Sequence, residues 1–221
     1  MTIELFAHHF SSYCQKAITA FYENDIPFEL RMLEPGSPAS EELARIWPIG
    51  RFPVLRDGER VVPEATSIIE YLDVHHPGPV RLIPDDAVAA LEVRRLDRFF
   101  DNYISTPQQK LVFDLIRPEA ERDPRGIAEA RAMLDKSYAW LEAHMAGGEW
   151  ARGNYSPADC APGPFLFYAD WSHPMDGRFP NVAAYRERLM ARPAFKRCID
   201  EARPYRAFFP GGPPDRDEGA S

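Results

Sequence analysis

The chain has 221 residues, of which 45% are hydrophobic and 27% charged, and a formal net charge of −8; this suits a soluble globular protein of one large domain or two modest ones. An acidic chain lacks the basic face that phosphate neutralisation requires, so no nucleic-acid partner is expected, and no run approaches the ~18 apolar residues of a membrane span. Three scattered cysteines, Cys14, Cys160 and Cys198, make neither a disulfide framework nor a metal site, and with no basic flank ahead of Glu4 no signal peptide is expected. A reducing, cytoplasmic setting follows.

Residues 3–7 read as a strand and 28–33 as a second. Between them Ala17, Ile18, Phe21 and Tyr22 recur at helical spacing over 12–24. Strand, helix, strand makes a βαβ unit with a parallel pair. A polar stretch leads to a short helix at 40–46. Two brief strands follow at 52–56 and 59–62, joined by Asp57-Gly58, a strong hairpin signal. A helix over 65–75 carries Ile68, Ile69 and Leu72. The order βαβ-α-ββα predicts an α/β domain with a mixed sheet over 1–76.

Three prolines and a glycine mark a linker at 77–86. Beyond it the periodicity is helical throughout, predicting an all-α bundle over 87–203 with helices at 87–103, 127–145, 159–171, 182–190 and 194–202. The 159–171 segment is apolar almost all round, as in a helix buried inside a bundle, and Pro162 and Pro164 require it to bend or restart. From 204 the tail, rich in proline and glycine, is expected to be irregular, with its acidic end mobile.

Four motifs carry candidate chemistry. Ser11-Ser12-Tyr13-Cys14-Gln15-Lys16-Ala17 lies where the first strand meets the first helix. A helix N-terminus stabilises an anion, a thiolate included, although a serine there is equally an ordinary N-cap. Phe52-Pro53 opens a strand; a cis bond there leaves the Phe52 main chain free to pair with an extended ligand. At Glu64-Ala65 a turn enters a helix, where backbone N–H groups can hold a carboxylate and the Glu64 side chain an ammonium. Ser156-Pro157-Ala158-Asp159 is a variant capping box with a structural role.

In order and spacing these motifs resemble the cytosolic glutathione transferase family over about residues 2–205. The resemblance implies a thioredoxin-like N-terminal domain followed by an all-helical domain, glutathione as co-substrate, no metal, a small electrophile as second substrate and a homodimer. It further implies that Pro53 is the cis-proline, that the Phe52 main chain pairs with the cysteinyl residue, and that Glu64 binds the γ-glutamyl end. Ala65 stands where the family usually has serine, leaving its N–H and the Thr66 hydroxyl to serve. Ser11 is expected to face the glutathione sulfur, with Ser12 the runner-up and Cys14 packed as a small apolar residue. The S-S-Y-C-Q-K stretch is similar to a glutaredoxin pattern with serine for its first cysteine, and to the zeta and tau serine motifs. Conjugation is the expected reaction; a zeta-type isomerase, a thiol oxidoreductase and a non-enzymatic binding protein are the alternatives. Further pocket candidates are His8, His9, Arg98, Asp101, Asn102, Tyr103, Gln109, Lys110, Trp171, Phe208 and Phe209.

Overall fold

The computed structural model describes residues 2–153 and 155–214. β1 (Ile3–Ala7), α1 (Ser12–Glu23) and β2 (Phe28–Met32) form the βαβ unit; α2 (Pro38–Ile46), β3 (Val54–Asp57), β4 (Arg60–Pro63) and α3 (Ala65–His75) complete the first domain. The sheet order is β2-β1-β3-β4. β1 runs parallel to β2 and antiparallel to β3, and β3 and β4 form the hairpin. This is the mixed, thioredoxin-like sheet expected, and strand alternation divides its faces. Leu5, Ala7 and Leu55 face the α1 and α3 side, whereas Phe6 and Val54 pack with Leu43 of α2.

The linker is pinned rather than loose. The Asn24 amide donates to the Val80 carbonyl at 3.0 Å and accepts from the Val80 N–H at 2.8 Å, and the Leu82 N–H donates to Asp73 at 2.9 Å. The second domain contains α4 (Ala87–Phe99), α5 (Thr106–Ile116), α6 (Pro124–His144), α7 (Pro157–Cys160), α8 (Pro162–Ser172), α9 (Pro180–Ala191) and α10 (Pro193–Ala202). The apolar 159–171 segment restarts at Pro162, and α8 is buried on every side from Pro162 to Trp171. The capping box forms: the buried Asp159 carboxylate accepts from the N–H groups of Ser156 and Ala151, each at 2.8 Å, and from the Tyr185 hydroxyl.

Two expectations need correction. The helix expected to end at 103 instead passes through a π-helical stretch, Phe100–Ser105, into α5. Pro107 explains the change of register, because it has no N–H to give to the carbonyl one turn back. That carbonyl, on Tyr103, lies 2.9 Å from the Ser137 hydroxyl of α6. The tail is also more ordered than expected, since Arg203–Phe208 forms a 3₁₀ turn and Phe209 is buried. The acidic end lies outside the described residues.

The hydrophobic core crosses the domain boundary. Residues of β1, α1 and α3 pack in one cluster with Phe167, Tyr168 and Trp171 of α8 and Phe195, Cys198 and Ile199 of α10. Lying in this joint, α1 is buried from Cys14 to Phe21, polar residues included.

Candidate active site

At the domain joint lies a cavity of about 460 Å³, within the usual range for small-ligand sites. Its first wall comes from the sheet domain: Phe10, Ser11, Ser12 and Tyr13 at the start of α1; Trp47, Arg51, Phe52 and Pro53 before β3; and Glu64 and Ala65 at the start of α3. The second comes from Gln108, Gln109, Val112, Phe113 and Ile116 of α5, Tyr168 of α8, and Phe208, Phe209 and Pro210 of the tail.

Two helix N-termini therefore meet at one cavity. Ser11 is the N-cap of α1, in extended conformation, and its hydroxyl oxygen accepts the Cys14 N–H at 3.4 Å. A capping oxygen accepts through a lone pair, so its O–H can still donate. At α3 the cap is Glu64, whose φ of 71° is rare for a residue with a side chain. No side chain caps the first N–H groups of α3, so they remain donors for an anion. Such strain persists where the surroundings impose it, often at functional sites. The Phe52–Pro53 bond is cis.

The neighbours of Ser11 divide clearly. Cys14 is fully buried, and burial pushes its thiol up to about 12; the Ser11 hydroxyl and the His8 N–H offset this only in part. At neutral pH it is a packed thiol. The Tyr13 ring packs edge-on to Phe165 at 4.9 Å; burial raises its phenol, against a hydrogen bond with Ser105.

Of the residues expected at the ligand, Ser11, Phe52, Pro53, Glu64 and Ala65 line the one cavity and Thr66 does not. The Thr66 hydroxyl donates to Asp97 at 2.7 Å and accepts from Lys16 at 2.9 Å. The Lys16 ammonium, wholly buried, also lies 2.7 Å from Asp97 and 2.8 Å from Asp101. Burial lowers its pKa, but the two carboxylates outweigh that and raise it, so it is charged. Burial raises Asp101. This network ties α1, α3 and α4 together.

Among the remaining candidates, Gln109, Phe208 and Phe209 reach the cavity. Trp171 stands behind it, its ring 5.1 Å from that of Phe209. Arg98, Asn102 and Tyr103 line a separate hollow beside Trp140, and Lys110 sits 3.4 Å from Asp123. The sequence reading missed Trp47, Arg51, Gln108, Val112, Phe113, Ile116 and Pro210. Only Trp47 and Arg51, flanking Phe52-Pro53, carried a signal that could have found them. The Trp47 indole N–H is buried with no acceptor among the described residues. Among those residues no group of three or more metal-ligating side chains occurs, and no helix is long and apolar enough to cross a membrane.

A family model described as the N-terminal domain of glutathione S-transferase matches residues 5–80. Over 213 residues the chain is 32% identical to glutathione S-transferase theta-1 of Bos taurus, covering 86% of this chain and 83% of that protein. It is 27% identical to a probable maleylacetoacetate isomerase of Vibrio cholerae, covering 92% and 98%. A glutathione S-transferase of Methylobacillus flagellatus, solved with glutathione bound, superposes with a TM-score of 0.81 at 25% identity, covering 89% of this chain and 98% of that one.

Proposed function

The chain belongs to the glutathione S-transferase family and is a glutathione transferase, and from that premise we propose that Ser11 activates the thiol of bound glutathione for attack on a small hydrophobic electrophile. The observation that carries this reading is the meeting of the α1 and α3 N-termini at one cavity whose far wall is mainly apolar.

The tripeptide lies along the first wall. Its γ-glutamyl carboxylate takes the Ala65 N–H at the start of α3, its γ-glutamyl ammonium pairs with Glu64, and its cysteinyl residue pairs with the Phe52 main chain beside Pro53. Its glycyl carboxylate is served by Arg51, the only cation lining the cavity among the described residues, and by the Trp47 indole. The sulfur then rests at the start of α1, where the Ser11 hydroxyl donates to the thiolate. A free thiol with pKa about 8.5 is only a few per cent ionised at pH 7. A hydrogen bond to the charged form and the helix N-terminus both lower that pKa. The thiolate attacks an electrophile held against Val112, Phe113, Ile116 and the tail.

The acting species is a cytoplasmic homodimer that packs one sheet domain against the partner's helical domain. Val74, Val88 and Leu91 on α3 and α4, 62–71% exposed, are apolar surface suited to that contact. Light scattering giving 25.2 kDa at micromolar concentration counts against it.

A second reading is an isomerase that uses glutathione catalytically and returns it; the likeness to the probable maleylacetoacetate isomerase favours it. Net consumption of glutathione with a panel of electrophiles supports conjugation, and full recovery during turnover supports the isomerase. The test of the central reading is the bound-thiol pKa in Ser11→Ala: a rise supports it, and an unchanged value with a rise in Ser12→Ala moves the role one residue along.

A further inference from the structure

The turn between β1 and α1 is held by its first residue. The Phe10 N–H donates to Nδ1 of the His8 ring at 3.0 Å. The Ser11 N–H donates to the His8 carbonyl at 3.1 Å, and the His8 N–H points to the Cys14 sulfur at 3.5 Å. A backbone N–H is only ever a donor, so Nδ1 must present its lone pair. An imidazolium carries protons on both nitrogens and cannot accept. The observed turn therefore belongs to neutral His8.

The ring also packs against the tail. Tyr205 of the tail packs edge-on against it, with centroids 4.7 Å apart, and Phe208 lies at 6.5 Å. The turn it controls carries Phe10, which lines the cavity and packs on Tyr168 at 5.4 Å, and then Ser11.

We propose that His8 is a positioning residue for the thiolate step: its neutral ring fixes Phe10 and Ser11 in place, and its protonation releases the turn. This rests on the Ser11 reading above. The charged and titratable groups around it are His9 and Cys14 on its own segment, Glu34 after β2, and Tyr205 on the tail; Glu201 and Arg197 of α10 act on His9. Burial and His9 lower the His8 pKa, opposed by Glu34, so neutral His8 prevails at pH 7 and the release falls below the ordinary 6.5.

The experiment follows kcat/KM against pH in wild type, His8→Ala and His8→Asn, together with hydrogen exchange at the Phe10 amide corrected for its intrinsic pH dependence. Loss of the thiolate alone makes log kcat/KM fall with slope one in acid. In wild type the slope is expected to exceed one below pH about 6.5 until the extra 3- to 10-fold is lost, and then return to one, with Phe10 protection falling over the same range. His8→Ala should lose about 3- to 10-fold above pH about 6.5, the effect of one neutral hydrogen bond, keep slope one, and converge on wild type in acid, where His8 is protonated. In His8→Asn the side-chain oxygen can replace Nδ1 as acceptor without titrating, so it should regain most of that loss and keep slope one. A wild-type slope of one down to pH 5 with unchanged Phe10 protection overturns the proposal, as does an Asn variant no better than Ala. The exchange readout needs no turnover. If Ser11→Ala leaves the bound-thiol pKa unchanged while Phe10 protection still follows pH, the Ser11 reading has failed and His8's hold on the turn has not.

Discussion

The two walls of the cavity are built from different physics. The sheet-domain wall acts through directional groups set by the backbone: the N-cap at Ser11, the N–H groups opening α3, and Glu64 held at a φ of 71°. The helical wall acts mainly through apolar area from Val112, Phe113, Ile116, Phe208 and Phe209. Hydrogen bonds fail over a few tenths of an ångström, whereas apolar contact is non-directional and scales with area. The first wall therefore suits one invariant ligand, and the second can change its preference by exchanging side chains. Between them stands the Lys16 network, a joint fixed by charge.

The largest expected effect comes from that joint. Lys16→Ala strips the cation from two carboxylates held at 2.7 and 2.8 Å, and breaking a buried pair from one side costs about 3–5 kcal/mol. Chemical unfolding measures it; a loss below about 1 kcal/mol means the walls are held together by packing alone.

On the first wall, Glu64→Ala should weaken glutathione binding by about 1.5–3 kcal/mol, the range for a charge-assisted hydrogen bond, as read by calorimetric titration. Glu64→Gly sharpens the point, since it should lose the same affinity while gaining about 1 kcal/mol of stability by relieving the positive φ. Equal affinity in Glu64→Gly and wild type would remove the carboxylate from the site. Ser11→Ala should leave glutathione affinity nearly intact, raise the bound-thiol pKa and slow the reactive step on the order of 10- to 150-fold. Ser12→Ala should do much less.

The second wall should answer differently. Phe113 is about half exposed, so Phe113→Ala should cost about 1 kcal/mol of electrophile binding, seen as a raised KM for the electrophile with glutathione affinity unchanged. A fall in glutathione affinity of the same size would show that the walls do not work separately.

The smallest effect is electrostatic. Burial lowers both His8 and His9. As pH falls through 6.5 the unfolded chain takes up protons before the folded one, so stability rises with pH in the window just below 6.5 and is lost as pH falls toward the lowered folded values. The fall in Tm between pH 7.5 and 5.5 should be smaller in His8→Asn than in wild type, a comparison in which the raised carboxylates Asp101 and Asp159 largely cancel.

Much of the first wall, and of the fold that carries it, was legible in the sequence because the signals are local. A serine before a helix, a proline opening a strand, Asp57-Gly58 between apolar runs, and the capping box of Ser156 and Asp159 each depend on residues within three or four positions. Such features carry much of their energy in their own turn, so reading them requires no knowledge of what packs above. The βαβ-α-ββα order and the helical character beyond the linker follow in the same way from periodicity.

Only the tertiary structure decided which faces meet. The family resemblance, with Ala65 in place of serine, implied the Thr66 hydroxyl at the ligand; that hydroxyl bonds instead to Lys16 and to Asp97, 31 residues on. Arg98 and Tyr103 lie near Gln109 in sequence, but they line the hollow beside Trp140, while Gln109, beyond the π-helical register, reaches the cavity. That register depends in turn on Pro107 and on a hydroxyl from Ser137, in another helix. The division into two domains, plain in the order of strands and helices, does not divide the core, which α1 shares with α8 and α10. Backbone preference is settled among near neighbours, whereas the facing of a side chain, the charge of a buried lysine and the shape of a cavity are sums over contacts distant in the chain.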